Sequence, residues 1–517
     1  GPEHDLTAAE VDANFEELAS RDLYGTTDPA VDTNPEAAGT RYTNTTSGEV
    51  FVCTDATEDE NVWVGQLETT VEPEPQAPAS DIGTAGTQGF GVGVYPTDLP
   101  TGFSTMAGTD DPASDNFGNY QYSDGSVMVF VPRFYYRFGN VGSPNYATYG
   151  ANACDIVGME TYATEAEANA AGYAMHRAFK DGGEDKLGFF IDKYVCSPAG
   201  TTHGKSVKNG VPISLATTAG YTKSADMDNC TGILADAVTL SRARGAGFNC
   251  ASVFMFSAIG ILALDHAQAA TGTAQCAWYD GTDTTNFPKG CNNNALADVD
   301  DSGVTFTTAG DSGNANKPLA GSGSPFAKTT HNGQNCGIAD VNGTILQVAL
   351  GITSPGTSDT DSTQVATGAG YKAAYAIKPS VALADLTAGW NTGNDAWGDA
   401  THLASLYDSI SDLFWWESGG AVYFGNGSNQ VFSDAASGTD WLRTGAGIPK
   451  DVDATSASGT AQFGGDYHYN YNRANMFVRC SGYWNNSADA GVFSRNWSFG
   501  RSSENTFNGF RACAYGL

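Results

Sequence analysis

Positive charge is what this sequence most conspicuously lacks. Its 58 aspartates and glutamates face only 25 lysines and arginines, for a net charge of −33. No nucleic-acid partner is expected, because each phosphate contact would form against the field of the whole molecule. Long hydrophobic runs are missing as well. The longest, Ala251 to Leu264, is too short to cross a bilayer, so no membrane insertion is expected and the run predicts a buried helix. The seven histidines never fall in HExxH or HxxxH spacing, and the ten cysteines form no CxxC pair, so no sequence-local zinc site is predicted. A GxSxG elbow and a Walker phosphate loop are also absent, and no catalytic residue is assigned. Asp298-Val-Asp-Asp-Ser-Gly303 opens like a calcium loop, yet Ala309 stands where a bidentate Glu belongs. No cofactor is expected; a structural calcium ion held by acidic and Asn-rich loops stays open, with no ligands named.

What is present points to a large, loop-rich protein. Hydrophobic residues make up 41% of the 517 positions and charged ones only 16%, enough to bury a sizeable interior spread over two or more domains. Abundant Gly, Ser, Thr, Asn and Asp suit a β-containing protein of the extracellular space or of a virion. Gly1-Pro2-Glu3-His4 carries no apolar secretory core and reads as the remnant of a cleaved tag.

Along the chain, Leu6 to Leu18 predicts a short helix, with Thr7 and Glu10 as a capping box and Val11, Phe15 and Leu18 on one face. A helix this short is marginal alone, so its stripe predicts packing against another subunit or domain. Gly39 to Cys53 and Asn61 to Gly65 read as strands, and Glu72 to Ala79 as a stiff Pro-rich linker. The expected organisation is residues 1–70 as an oligomerising or docking segment, 71–84 as linker and 85–517 as one large domain. Within that domain, Ser126–Arg137 and Leu187–Val195 read as apolar strands. Gly351 to about Gly459 reads as loops around a helix at Asp399–Trp415, and Tyr467, Tyr469 and Tyr471 share one side of an extended strand.

The last forty residues carry the most information. Gly482, Trp484, Ala490-Gly491-Val492-Phe493 and Gly509-Phe510-Arg511 supply large apolar groups, turning glycines and an Arg able to bond several carbonyls. Between them Tyr, Asn, Ser, Asp, Arg and Phe follow no helical or strand period, which predicts a long loop held at both ends. Five arginines, at 473, 479, 495, 501 and 511, stand there against Asp489 and Glu504. Arg is the cation enriched at protein interfaces, and some of the five, Arg511 foremost, are expected to tie the fold together instead.

This pattern of G-x-W-N-N, A-G-V-F and G-F-R in order resembles the variable region of proteins diversified by retroelements, and more broadly the C-type-lectin-like fold shared with formylglycine-generating enzymes. The words DLTAAEVDANFEEL near the start resemble a phrase common in bacteriophage tail-fibre and virion-attachment proteins. The resemblance implies an α+β fold: a C-type-lectin-like domain of the formylglycine-generating type with irregular loop-rich insertions, after a small helix-plus-β segment. Ile338–Val348 resembles the family's D-x-x-G-N-V-W-E-W strand, but Ile345-Leu-Gln-Val replaces its aromatic and acidic positions, so a metal site tied to them does not carry over.

In that family adenines are rewritten, and an Asn codon changed at its first two bases cannot become Trp or Glu. Trp484, Trp497 and Glu504 are therefore expected to be fixed. The ligand-binding set implied for the region at about 480–513 is Tyr483, Asn485, Asn486, Asp489, Ser494, Asn496, Ser498, Phe499, Ser503, Asn505, Thr506 and Phe507, expected to be mostly exposed and close together. The scaffold set is Trp484, Val492, Phe493, Gly509, Phe510 and Arg511. Cys480 and Cys513 are either a disulfide across the two ends of the region or two small buried thiols.

The function implied is a virion or phage receptor-binding protein, trimeric by resemblance to tail fibres, whose partner is a host-surface protein or glycan. Two rival readings are a fixed carbohydrate-binding adhesin and an oxidase of the formylglycine-generating type. The second lacks its closely spaced cysteine pair.

Overall fold

The computed structural model describes residues 22–65 with short breaks, 81–279 and, between 305 and 515, all but 307–308, 312–313, 354–373, 387–405, 411–419, 426–428, 454–462, 464–465, 471–475 and 487–488. The expected N-terminal helix, the Pro-rich linker and the Asp298 loop lie outside the described residues. The chain divides into two compact units, Gly1–Pro78 and Ala79–Leu517.

In the first unit Arg41–Asn44, Val50–Asp55 and Val62–Gly65 form an antiparallel meander over the two expected strand regions, the middle strand running two residues past Cys53. A fourth strand, Asp22–Gly25, adds in parallel to Arg41–Asn44. Tyr42 and Trp63 meet edge-on at 5.7 Å between them.

The second unit is rich in strands and has few helices among its described residues. One sheet of six strands runs in the order Phe248–Cys250, Ala512–Tyr515, Gly188–Asp192, Val127–Pro132, Asn119–Tyr122, Phe103–Thr105, antiparallel throughout. Its central strands are apolar on both faces because both faces are covered; Phe130, Val131, Phe189 and Phe190 have no exposure. The apolar stretch 126–137 is two strands, not one. Pro132 has no N–H to extend the ladder, the Arg133 N–H bonds the Leu187 carbonyl at 2.9 Å, and Phe134–Phe138 leaves to pair with Cys154–Gly158 and Ala174–Met175.

A second sheet of seven strands holds the C-terminal segment, in the order Val452–Asp453, Gly420–Phe424, Tyr467–Asn470, Arg495–Gly500, Met476–Cys480, Leu346–Ala349, Asn508–Phe510. Parallel pairs join Tyr467–Asn470 to Arg495–Gly500 and Leu346–Ala349 to Asn508–Phe510. The segment likened to the D-x-x-G-N-V-W-E-W strand is therefore extended only from Leu346. Before it Asp340 takes a positive φ of 59° and receives the Gly321 N–H and the Thr344 hydroxyl.

The predicted buried helix spans Val253–Ala269. Ser252 caps it by accepting the Met255 N–H, and apolar residues surround its axis, the pattern of a core helix with no wet face. It packs on Met476–Cys480 and on the helix Gly438–Gly445. Of the expected helix at 399–415 the structure describes 406–410, where Leu406 is helical and the remainder is corrected. Tyr407–Ile410 is a strand paired with Ala374–Ile377, and burial of Tyr407 and Ile410 at its two ends outweighs the helical spacing. Among the described residues of what reads as loop between 351 and 459, short strands also stand at Ile352–Thr353, Ala374–Ile377, Gly420–Phe424 and Val452–Asp453.

Candidate functional site

The C-terminal segment leaves the Met476–Cys480 strand through Ser481 and Gly482, both at positive φ. The Asn486 side chain then closes a small turn. Its Oδ1 accepts the Tyr483 N–H at 2.8 Å while its own N–H bonds the Tyr483 carbonyl at 2.9 Å. Gly491 bonds back to the Ser481 carbonyl at 2.8 Å. No larger residue fits there, since a Cβ on Gly491 would stand 1.8 Å from Asp466 Oδ1, and that carboxylate accepts the Phe493 N–H. Phe493 packs against Phe424, Phe432 and Phe463 at 5.2–5.6 Å. Trp484, Val492, Phe493, Phe510 and Arg511 are all buried.

The expected long loop is corrected at its centre. Arg495–Gly500 is a strand hydrogen-bonded on both sides, by Tyr467–Asn470 and Met476–Cys480. Its backbone is satisfied by the ladder, and Trp497, a good strand former, is fully buried against His468.

The twelve expected contact residues separate by burial. Asn485 is exposed, while Tyr483, Asn486, Asp489, Ser498, Phe499, Ser503, Asn505, Thr506 and Phe507 are half-buried. Ser494 and Asn496 are 1% and 9% exposed, so the expectation of exposure fails for both. The cause is internal hydrogen bonding: Ser494 Oγ donates to the Asp489 carbonyl at 2.6 Å, and Asn496 lies between Arg479 and Tyr467.

Three groupings result. Tyr483 stacks on Phe507 with centroids 4.3 Å apart, and Trp484 meets both edge-on. Asn486 and Asn496 both point amides at the Tyr467 hydroxyl at 3.3 Å, and Asp489 accepts from the Tyr423 hydroxyl at 3.3 Å. Asn505 and Thr506 lie against Ser214 and Leu215, while the Ser503 carbonyl takes the Leu234 N–H. Glu504 is exposed and accepts both the backbone N–H and the hydroxyl of Thr217.

The arginines are structural where described. Arg479, Arg495, Arg501 and Arg511 are each at most 2% exposed, so all four belong to the arginines that tie the fold together and none is open to an interface, and Arg473 lies outside the described residues. Arg511 donates to the Asp192 and Lys193 carbonyls at 2.8 Å and also bonds Gln347 and the Ala339 carbonyl. It thereby joins the end of Gly188–Asp192 in one sheet to Leu346–Ala349 in the other. Arg479 gives one Nη to Asn508 Oδ1 at 3.1 Å and the other to Asn496 Oδ1 and Ser498 Oγ. Phe499 covers its guanidinium at 4.1 Å. Burial pulls the Arg479 pKa down to about 9 and pushes the Tyr467 phenol up to about 12. Sequence reading missed Tyr423 as part of this site, and the buried position of Arg479 beneath it, because pairing across strands brings both in.

Cys480 and Cys513 are two separate buried thiols, so the disulfide alternative does not hold. Burial pushes Cys480 up to about 11 and Cys513 well above its ordinary value, which leaves little thiolate for nucleophilic chemistry. Among the described residues no group of three or more His, Cys, Asp or Glu is placed to hold a metal ion.

No family model and no curated protein matches the chain. Solved structures that it is similar to include the Major Tropism Determinant U1 variant, at 10% identity and TM-score 0.25 over 96% of this chain and 99% of that one. The Major Tropism Determinant M1 variant aligns at 9% identity and TM-score 0.27, covering 96% and 98%, and the I1 variant at 9% and 0.26, covering 96% and 99%. At TM-scores this low neither fold nor function carries over. No described helix is long and apolar enough to cross a membrane.

Proposed function

We propose that this chain is a receptor-binding protein of a virion, with a C-type-lectin-like domain that attaches to a host-surface protein or glycan through the face built by residues 483–507. The observation that carries the reading is the division of that segment. Trp484, Val492, Phe493 and Trp497 are buried in the frame, while Tyr483, Asn485, Asn486, Ser498, Phe499 and Phe507 keep part of their surface free on short turns and a strand held by a ladder. A backbone fixed from within tolerates changed side chains outside, and aromatic anchors among adaptable Asn and Ser suit recognition. The activity is binding without turnover. Several copies on one particle would multiply weak single contacts, and the N-terminal unit is the element that assembles them, as a trimer.

Host cells or their surface extract are expected to retain the wild-type chain. Tyr483→Ala, Phe499→Ala and Phe507→Ala combined should weaken retention at least tenfold, about 1.4 kcal/mol. Unchanged retention by the triple variant would move the site elsewhere. A near-copy of the last coding stretch beside a reverse-transcriptase gene, differing chiefly at adenines, separates a diversified binder from a fixed adhesin.

A further inference from the structure

Arg479 is 1% exposed and has no carboxylate partner among the described residues. Among the described residues its charge is met by neutral groups: Asn508 on an edge strand, and Asn496 and Ser498 on the strand that passes through the proposed face. Asn496 and Ser498 also order each other. Asn496 Oδ1 also takes the Ser498 N–H at 3.1 Å and its hydroxyl at 2.7 Å, while Asn496 Nδ2 reaches the Tyr467 hydroxyl. Removing either acceptor would leave a buried guanidinium donor unmet, which costs far more than losing an exposed contact.

We infer that Arg479 is a specificity-determining positioning residue: it restricts positions 496 and 498 to side chains that accept a hydrogen bond, and so confines ligand contact to the outer residues of the face. The inference deepens the proposed binding role. Ser494 is excluded on the same ground, since its hydroxyl is spent on the Asp489 carbonyl. The residues left to meet a ligand at this end are Tyr483, Asn485, Asn486, Phe499 and Phe507. Asp at position 496 would satisfy the same donors and supply the missing negative charge, because the Tyr467 hydroxyl can turn to donate to it. Valine, leucine and alanine cannot.

The test is a pair of libraries of the full chain displayed on cells, randomised at 496 and 498 and sorted for protease resistance, one with Arg479 and one with Arg479→Met. With Arg479, Asn, Asp, Ser and Thr should be enriched about tenfold over Ala, Val and Leu, the equivalent of roughly 1.4 kcal/mol. In the Arg479→Met library that preference should vanish. Equal recovery of apolar residues beside Arg479, or a preference that persists without it, overturns the inference. If Arg479→Met does not fold, purified single variants decide: Asn496→Asp should melt at or above the wild type and Asn496→Leu well below it. Asn496→Asp melting as low as Asn496→Leu also overturns it. These readouts measure folding and not ligand capture, so the inference and the binding role fail separately.

Discussion

Single side chains in this protein are decided by what their buried atoms meet. His176, His266 and His331 each accept a backbone N–H on Nδ1, from Ala178, Gly86 and Ile338, all at 3.1 Å. That geometry requires the neutral ring with its proton on Nε2, and His266 uses that proton on the Gln275 carbonyl at 3.0 Å. Burial accordingly lowers the pKa of His266 to about 4 and those of His176 and His331 to about 3. Each folded value lies below the ordinary 6.5, so between it and 6.5 the unfolded chain binds more protons. The contribution to stability is complete above 6.5 and lost as pH falls toward the folded value. Buried Asp265 and Asp340, shifted upward by burial, act in the opposite direction, which makes a difference measurement necessary. His266→Gln keeps an acceptor and a donor, so its melting temperature should fall less than the wild type's between pH 7 and pH 4.5; parallel curves would show that His266 titrates normally.

The same logic separates neighbours in the turn. Trp484→Ala should cost roughly 3 to 5 kcal/mol and Asn485→Ala less than about 0.5, read by thermal melting. Similar losses would remove the distinction between frame and face.

At the scale of elements, legibility followed the number of buried faces. Val253–Ala269 was readable because apolar residues surround its axis, and Gly188–Asp192 because Phe189, Phe190 and Ile191 form an apolar run within it. Arg495–Gly500 was not, since Arg495, Asn496, Trp497 and Gly500 are buried with Ser498 and Phe499 half-buried between them, so the period of two that marks a half-wet strand is missing. Ser494 and Asn496 were unreadable for a related reason: residue type predicts exposure for polar side chains, and only the partner across the strand reverses it. Trp484, Phe493 and Phe510 could be read as frame from their size and their glycine neighbours.

A close approach between elements gives a further prediction. Gly260 lies within the core helix, where alanine would ordinarily stabilise by about 1 kcal/mol, yet a Cβ there would stand 2.7 Å from the Phe493 ring. Gly260→Ala should therefore lower the melting temperature, because Phe493 is packed among Phe424, Phe432 and Phe463 and has no room to retreat. A gain in stability would mean that the helix and the Phe493 cluster are not held together this tightly.

For the whole molecule, charge opposes the proposed assembly. The described interior nearly balances itself, with Arg177, Arg244, Arg479, Arg495, Arg501, Arg511, Lys193 and Lys317 buried alongside Asp181, Asp192, Asp236, Asp265, Asp340 and Asp466. The described interior thus does little to offset the net charge of −33, and copies brought together repel one another. The stripe of Val11, Phe15 and Leu18 expected from the sequence would offer little apolar area against that repulsion. Screening shortens the range of the field from about 30 Å at 0.01 M salt to about 8 Å at 0.15 M, so assembly should strengthen as salt is added, the reverse of association through ion pairs. Light scattering on the full chain is expected to show a mass rising toward three copies between 0.01 M and 0.15 M salt, while the chain from residue 81 onward stays a single copy at both. A full chain that remains monomeric at both salts would remove the trimer from the reading; a mass that falls with added salt would place opposite charges at the contact.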